Sequence, residues 1–214
     1  MRAVLWDGKK VLKAKEVATP ENLADFKSTL IKLVKSLGET SGVSIGAAGV
    51  IKGNSLVKSA NIPYIRHFDF SKVKGVLFRG TLDNDARCFG RAEYATGNTA
   101  GRETVFFVTL GTGVGRAVGR GGKILRIKRF EHSERWETEY QKIRYSKNNK
   151  KLAVYLGKKL GMLIKPYKPQ AVIVGGGVLS HKGFFAGLKQ ASGLPLKKPR
   201  FGKNAVAVGA AKLL

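Results

Sequence analysis

Two short apolar-rich runs open the chain, residues 2–6 and 10–17, joined by Asp7-Gly8-Lys9. Asp-Gly between such runs is a strong hairpin signal, so two strands are predicted there. Leu23, Phe26, Leu30, Leu33 and Leu37 then recur at helical spacing after Thr19-Pro20 and before Gly38. Thr19 is the expected cap, Pro20 suits the first helical position and Gly38 the stop, which predicts a surface helix with one buried face.

Residues 43–51 form an apolar, glycine-interrupted strand that turns at Gly53-Asn54 into a short second strand. A further strand, 76–82, runs into Asp83-Asn84-Asp85 and a helical stretch from Ala86 to about Tyr94. Residues 104–110 read as a buried strand ending in Gly111-Thr112-Gly113, and 116–119 and 123–127 bracket a hairpin turn at Arg120-Gly121-Gly122. The interval 128–151 is dense in charge and aromatic residues without a clear period, which predicts loop with partial helix. Leu152, Tyr155, Leu156, Leu160 and Leu163 make a helical stripe, 171–174 a short strand ending in three glycines, and 205–214 a last helix. Helices between apolar strands predict an α/β architecture with mostly parallel central strands.

Composition narrows this picture. A chain of 214 residues with 43% hydrophobic content can bury one sizeable core or two small ones. Twenty-seven glycines against six prolines suit a protein that holds anions with main-chain amides. Cys88 is the only cysteine, which excludes an intramolecular disulfide and a cysteine-cluster zinc site and fits a reducing compartment. With no apolar run near ~20 residues and no signal-peptide stretch, a cytoplasmic protein without membrane association is expected. Forty Lys and Arg against fourteen Asp and Glu leave a formal net charge of +26. Such a field attracts polyanions, so non-specific nucleic-acid binding is one reading and a general basic bias with an anionic nucleotide ligand the other. No zinc finger, RNP-like strand or helix-turn-helix pattern singles out the former.

Three segments can carry chemistry. At 105–113 a strand feeds a glycine turn where amides and a hydroxyl can converge on phosphate oxygens, or which serves only as a tight hairpin. At Asp83-Asn84-Asp85 a carboxylate lies between strand and helix, placed to take a proton from a substrate hydroxyl or simply to cap the helix. At Gly175-Gly176-Gly177 a strand ends in bare backbone against which an adenine or ribose can lie, or turns into a helix.

In series, "LDNDARCFGRAEYATGN", "TVFFVTLGTGVG", "GRGGKIL", "KPQAVIVGGGVLS" and "NAVAVGAAKLL" resemble the ROK family of sugar kinases and repressors, as does "VSIGAAGVIKGNSLVKSANIP" earlier in the chain. The resemblance implies an actin-like ATPase (ribonuclease H-like) fold with mixed, mostly parallel sheets. Its small first lobe would span 1–84 and its larger second lobe 85–214, with helix 205–214 packing back on the first. It implies MgATP and a hexose as ligands, and a homodimer. Asp85 matches the family's catalytic base, and Asn84 and Asn61 match sugar-binding positions. Gly111, Thr112 and Gly113 match the second phosphate loop, and Gly175, Gly176 and Gly177 the adenosine-side turn. Glu131 and His132 are the nearest match to the family's sugar-binding Glu-x-Gly-His, with Glu137 or Glu139 as a further carboxylate. The family's first strand and Asp-x-Gly-Gly-Thr loop have no counterpart here, the sequence opening one strand later at Arg2-Ala-Val-Leu-Trp6. The zinc motif is likewise missing, so no zinc is expected. The alternative to an active kinase is a non-catalytic relative that binds sugar or polyanion.

Overall fold

A computed structural model describes residues 1–94, 96 and 99–214. The last positions of the "LDNDARCFGRAEYATGN" stretch, 95, 97 and 98, lie outside the described residues. The chain separates into two compact units, Met1–Ala92 with Asn204–Leu214, and Glu93–Lys203. The first unit therefore takes the helix after residue 84 as well as the C-terminal helix, whereas the motifs suggested a division at 84/85.

In the first unit β1 (Arg2–Trp6) and β2 (Val11–Glu16) form an antiparallel two-stranded sheet. Helix α1 (Leu23–Lys35) follows, capped not by Thr19 but by Asn22, whose Oδ1 accepts from the Asp25 amide at 2.9 Å. Thr19 Oγ1 instead accepts from the amino terminus at 3.2 Å. Phe26, Leu30 and Leu33 face inward from α1, and the Phe26 ring meets Tyr64, Phe68 and Phe70 edge-on. The predicted strand 43–51 divides. β3 (Val43–Ala47) pairs in parallel with β7 (Phe78–Asn84), while β4 (Val50–Lys52) joins β5 (Ser55–Lys58) and β6 (Arg66–Asp69) in an antiparallel sheet. Gly49, at φ +137°, makes the break; a Cβ there would overlap the Lys58 carbonyl oxygen, so only glycine allows the close approach. β7 leads directly into α2 (Asp85–Glu93). The C-terminal helix, Ala205–Ala211, packs on β3, β1 and β7 with its small residues, Gly209 lying against the main chain of Cys88.

The second unit is built on a five-stranded mixed sheet. β8 (Thr104–Leu110) pairs antiparallel with β9 (Val114–Arg120), which pairs with β10 (Lys123–Leu125). On its other side β8 runs parallel to β11 (Ala171–Gly175), itself parallel to the short β12 (Leu196–Lys197). Val105 to Val108 and the whole of β11 are buried, as continuous apolar runs in parallel strands should be. Each Val, Ile or Phe side chain among them contributes about 1.5–3 kcal/mol through removal from water.

The interval 128–151 is more regular than its composition suggests. It holds α3 (Trp136–Tyr145) and the start of α4 (Asn149–Ile164), joined across Asn148, which caps α4 through the Lys151 amide at 2.9 Å. The inward face of α3 is Glu137, Tyr140 and Ile143; a carboxylate in the buried stripe broke the hydrophobic period and concealed the helix. Helix α5 (Phe184–Ser192) packs on α4. Before the chain leaves this unit, the Glu93 carboxylate accepts from the amides of Arg200 and Phe201 at 2.8 and 2.9 Å.

Candidate functional site

The candidate residues of the first unit gather where β7 becomes α2. Asn84 is buried, and its Oδ1 accepts from the Ala86 amide at 3.0 Å while its Nδ2 donates to Gly49 O at 3.2 Å. Its oxygen therefore performs the helix-capping job that the sequence left open. Asp83 is clamped by two cations, Arg87 Nε at 2.6 Å and Arg91 Nη2 at 2.7 Å. Burial raises the Asp83 pKa, but the two arginine hydrogen bonds outweigh it and hold the group below the ordinary carboxylate range.

Asp85 differs. It is half-buried, its Oδ1 accepts from the Ala86 amide at 2.9 Å, and no salt bridge to it is formed among the described residues. Burial pushes its carboxyl above the ordinary value, only partly opposed by the Ala86 amide. A carboxylate with raised proton affinity and no cation clamped to it is suited to accept a proton. Asn61 lies apart from this cluster along the chain, exposed in the turn between β5 and β6, its amide donating to Ser59 Oγ at 3.2 Å.

The candidate residues of the second unit fall into two turns that the fold brings side by side. Because β8 and β11 are parallel neighbours with Thr109 opposite Gly175, Gly111–Thr112–Gly113 and Gly175–Gly176–Gly177 leave the same, carboxyl end of adjacent strands. This end of parallel strands is where α/β folds bind ligands. Gly176, at φ +101°, lies so close to β8 that a Cβ would overlap the main chain of Leu110, so the two turns are in direct contact. Within the first turn Gly111 N donates to Gly113 O at 3.0 Å. Among the described residues, the amides of Thr112 and Gly113 and the Thr112 hydroxyl donate to no protein acceptor. Amides and a hydroxyl left without protein acceptors on a turn are groups that can bind an anion.

The other predicted positions do not join these turns as a pair. The Glu131 side chain is buried beside Arg126, 3.5 Å from its Nε. His132 is exposed, and its carbonyl oxygen accepts from Arg116 Nη2 at 2.7 Å. Glu139 is exposed on α3, 4.0 Å from Lys142. Glu137 is buried against the turn itself, accepting from the Val114 amide at 3.1 Å.

Several residues around these turns escaped sequence reasoning: Arg116, Glu134, Tyr140 and Gln141. Arg116 alone left a trace, a cation at an inward position of a strand whose other residues up to the exposed Arg120 are small or apolar. Among the described residues no helix is long and apolar enough to cross a membrane.

Both units match the actin-like ATPase fold of solved sugar kinases. A ROK family glucokinase from Streptomyces griseus, determined with glucose and AMPPNP, superposes with a TM-score of 0.83 at 22% identity, covering 99% of this chain and 94% of that one. The inorganic polyphosphate/ATP-glucomannokinase of Arthrobacter sp. strain KM gives 0.82 at 23% identity, covering 99% and 92%. Residues 1–129 match the model of the ROK family, and the chain belongs to that family. The N-acetylgalactosamine kinase AgaK of Shewanella sp. (strain ANA-3) is 30% identical over 115 residues, half of this chain and 37% of that protein. The chain thus spans little more than a third of the curated relative it matches.

Proposed function

We propose that this protein phosphorylates a hexose with ATP, Asp85 acting as general base. The observation that carries the reading is the pair of glycine turns side by side at the carboxyl ends of β8 and β11, with the amides of Thr112 and Gly113 unclaimed. Those amides suit the phosphates of a nucleotide, and Gly175, Gly176 and Gly177 offer side-chain-free backbone for its adenosine part. Magnesium commonly takes one or two carboxylates and completes its shell with phosphates and water, so the sparse acidic residues here are compatible with MgATP. When bound, MgATP supplies the transferable γ-phosphoryl group.

In the reaction a hexose hydroxyl oxygen forms a bond to the γ-phosphorus as the bond to the β,γ-bridging oxygen breaks. The hydroxyl proton passes to the Asp85 carboxylate, and ADP leaves with the electron pair of the broken bond. Asp85 is the carboxylate of its junction fit for this step, because Asp83 is neutralised by Arg87 and Arg91. Asn61, Glu131 and His132 are the proposed sugar contacts, with Asn84 fixing the start of α2 behind Asp85. Positioning and charge neutralisation, rather than covalent intermediates, carry phosphoryl transfer of this kind.

A panel of hexoses, assayed for ADP release in the presence and absence of sugar, tests the proposal. Sugar-dependent ADP release by the wild type and its collapse in Asp85→Asn support it; equal rates in the variant remove Asp85 as base. A second reading, binding of sugar or polyanion without catalysis, is favoured by the net charge of +26. Salt-sensitive binding of nucleic acid with no sugar-dependent turnover would select it.

A further inference from the structure

Beside the Gly111–Gly113 turn stands a buried ionic network centred on Arg116 and Glu137. Arg116, 2% exposed, lies on β9 three positions past the turn. Its Nη1 donates to Glu134 Oε1 at 2.7 Å, and its Nη2 to His132 O at 2.7 Å and to Glu137 Oε1 at 3.0 Å. Phe130 covers the guanidinium, its ring centre 5.6 Å from Cζ. Glu137, 5% exposed, spends both oxygens on protein donors. Oε1 also accepts from the Glu134 amide at 3.0 Å, and Oε2 accepts from the Val114 amide at 3.1 Å.

Two more side chains of α3 grip the same turn. Tyr140 Oη donates to Gly111 O at 2.6 Å and Gln141 Nε2 to Thr112 O at 3.3 Å. The Thr112 and Gly113 N–H groups are the ones left without a protein acceptor among the described residues.

We propose that Glu137 is a positioning residue for the phosphate turn rather than a sugar contact. Arg116 holds its carboxylate in place, and Tyr140 secures the opposite end of the turn. Three donors already converge on Glu137 inside the protein, and a buried carboxylate so saturated is a structural strut. Arg116 is the reason a charge is tolerated there: buried carboxylate and buried guanidinium offset each other's desolvation, with Glu134 as the second counter-charge. In effect α3 acts as a proteinaceous brace for the loop. The inference rests on the kinase reading for its catalytic consequence, but the brace is measurable without it.

Glu137→Gln keeps the shape and removes the charge that Arg116 requires. We expect its KM for MgATP to rise about tenfold or more, because a charge-assisted bond behind the turn is lost, while its KM for hexose stays within about twofold. In the absence of any nucleotide, hydrogen exchange at the Val114 amide should accelerate by at least about tenfold. A rise in the hexose KM with an unchanged MgATP KM, or unchanged exchange at Val114, overturns the proposal. Should Glu137→Gln not fold, Tyr140→Phe removes one hydroxyl only and is expected to raise the MgATP KM and accelerate exchange at the Gly111 amide, which donates to Gly113 O, each about fivefold. No shift in either overturns the proposal equally. If the wild type shows no sugar-dependent turnover, the kinase reading fails, and exchange at Val114 and Gly111 alone still decides whether the brace exists.

Discussion

Two strand ends carry the candidate chemistry, and they are built from opposite materials. At the end of β7 the working groups are side chains: Asp83, Asn84 and Asp85, surrounded by arginines and helix amides. At the ends of β8 and β11 they are main-chain amides on glycine turns, joined by the Thr112 hydroxyl, and the Glu137 and Tyr140 side chains nearby bond to the backbone. A proton acceptor needs a tunable pKa, which only a side chain in a chosen environment provides. A phosphate needs several donors converging on one anion, which consecutive amides provide without long side chains to immobilise.

The contrast is sharpest between Asp83 and Asp85, two residues apart. One is neutralised by Arg87 and Arg91 and its pKa is lowered; the other is raised by burial without such a clamp. The largest expected effect is therefore on Asp85→Asn, which should reduce sugar-dependent ADP release by about 10²–10⁴-fold. The same variant should melt a few degrees higher at pH 7, since a carboxylate whose pKa is raised on folding is held ionised at a cost there. A lower melting temperature would place Asp85 with Asp83 as a structural residue.

Next in size is Gly176→Ala. Its φ of +101° and the overlap of a Cβ with Leu110 should destabilise the protein by about 1–3 kcal/mol from backbone strain, with more from the overlap. Chemical denaturation measures this, and a neutral result would separate the two glycine turns.

Asp83→Asn should lower stability by about 1.5–3 kcal/mol while leaving the catalytic proton acceptor in place. The sign of its pH dependence follows from the lowered pKa. The wild-type advantage is present above the unfolded carboxylate value of about 3.9 and is lost as pH falls through the still lower folded value. The stabilities of wild type and variant should converge in strong acid, and a gap that persists there would mean that charge is not its source. Smallest is Asn22→Ala, about 1 kcal/mol from loss of the α1 cap, with turnover unchanged.

Much of this was legible in the residues because it is local. Asp-Gly turns, the α1 stripe, the apolar strand β8 and the glycines after β8 and β11 depend on neighbours a few positions away, and the ordered motifs were enough to place the chain in its family. What misled was also local. Thr19-Pro20 looked like a helix start, yet Asn22 reaches the Asp25 amide and takes the role. Glu137 sat in an apolar stripe and hid α3 as a loop. What the residues did not reveal at Asn84 is its local work, since its side chain bonds the Ala86 amide and Gly49 O.

By itself the sequence determined most of the strands and helices, the glycine turns and the class of chemistry they can support, since those follow from torsional preference and hydrophobic period. Tertiary structure alone decided which turns meet and which charges are spent. Pairing β8 with β11 puts residues 111 and 176 in contact, and folding α3 under the hairpin gives Arg116 and Glu137 to each other. A buried charge has no fixed meaning along the chain, because its energy depends on the partner that folding brings within hydrogen-bond reach.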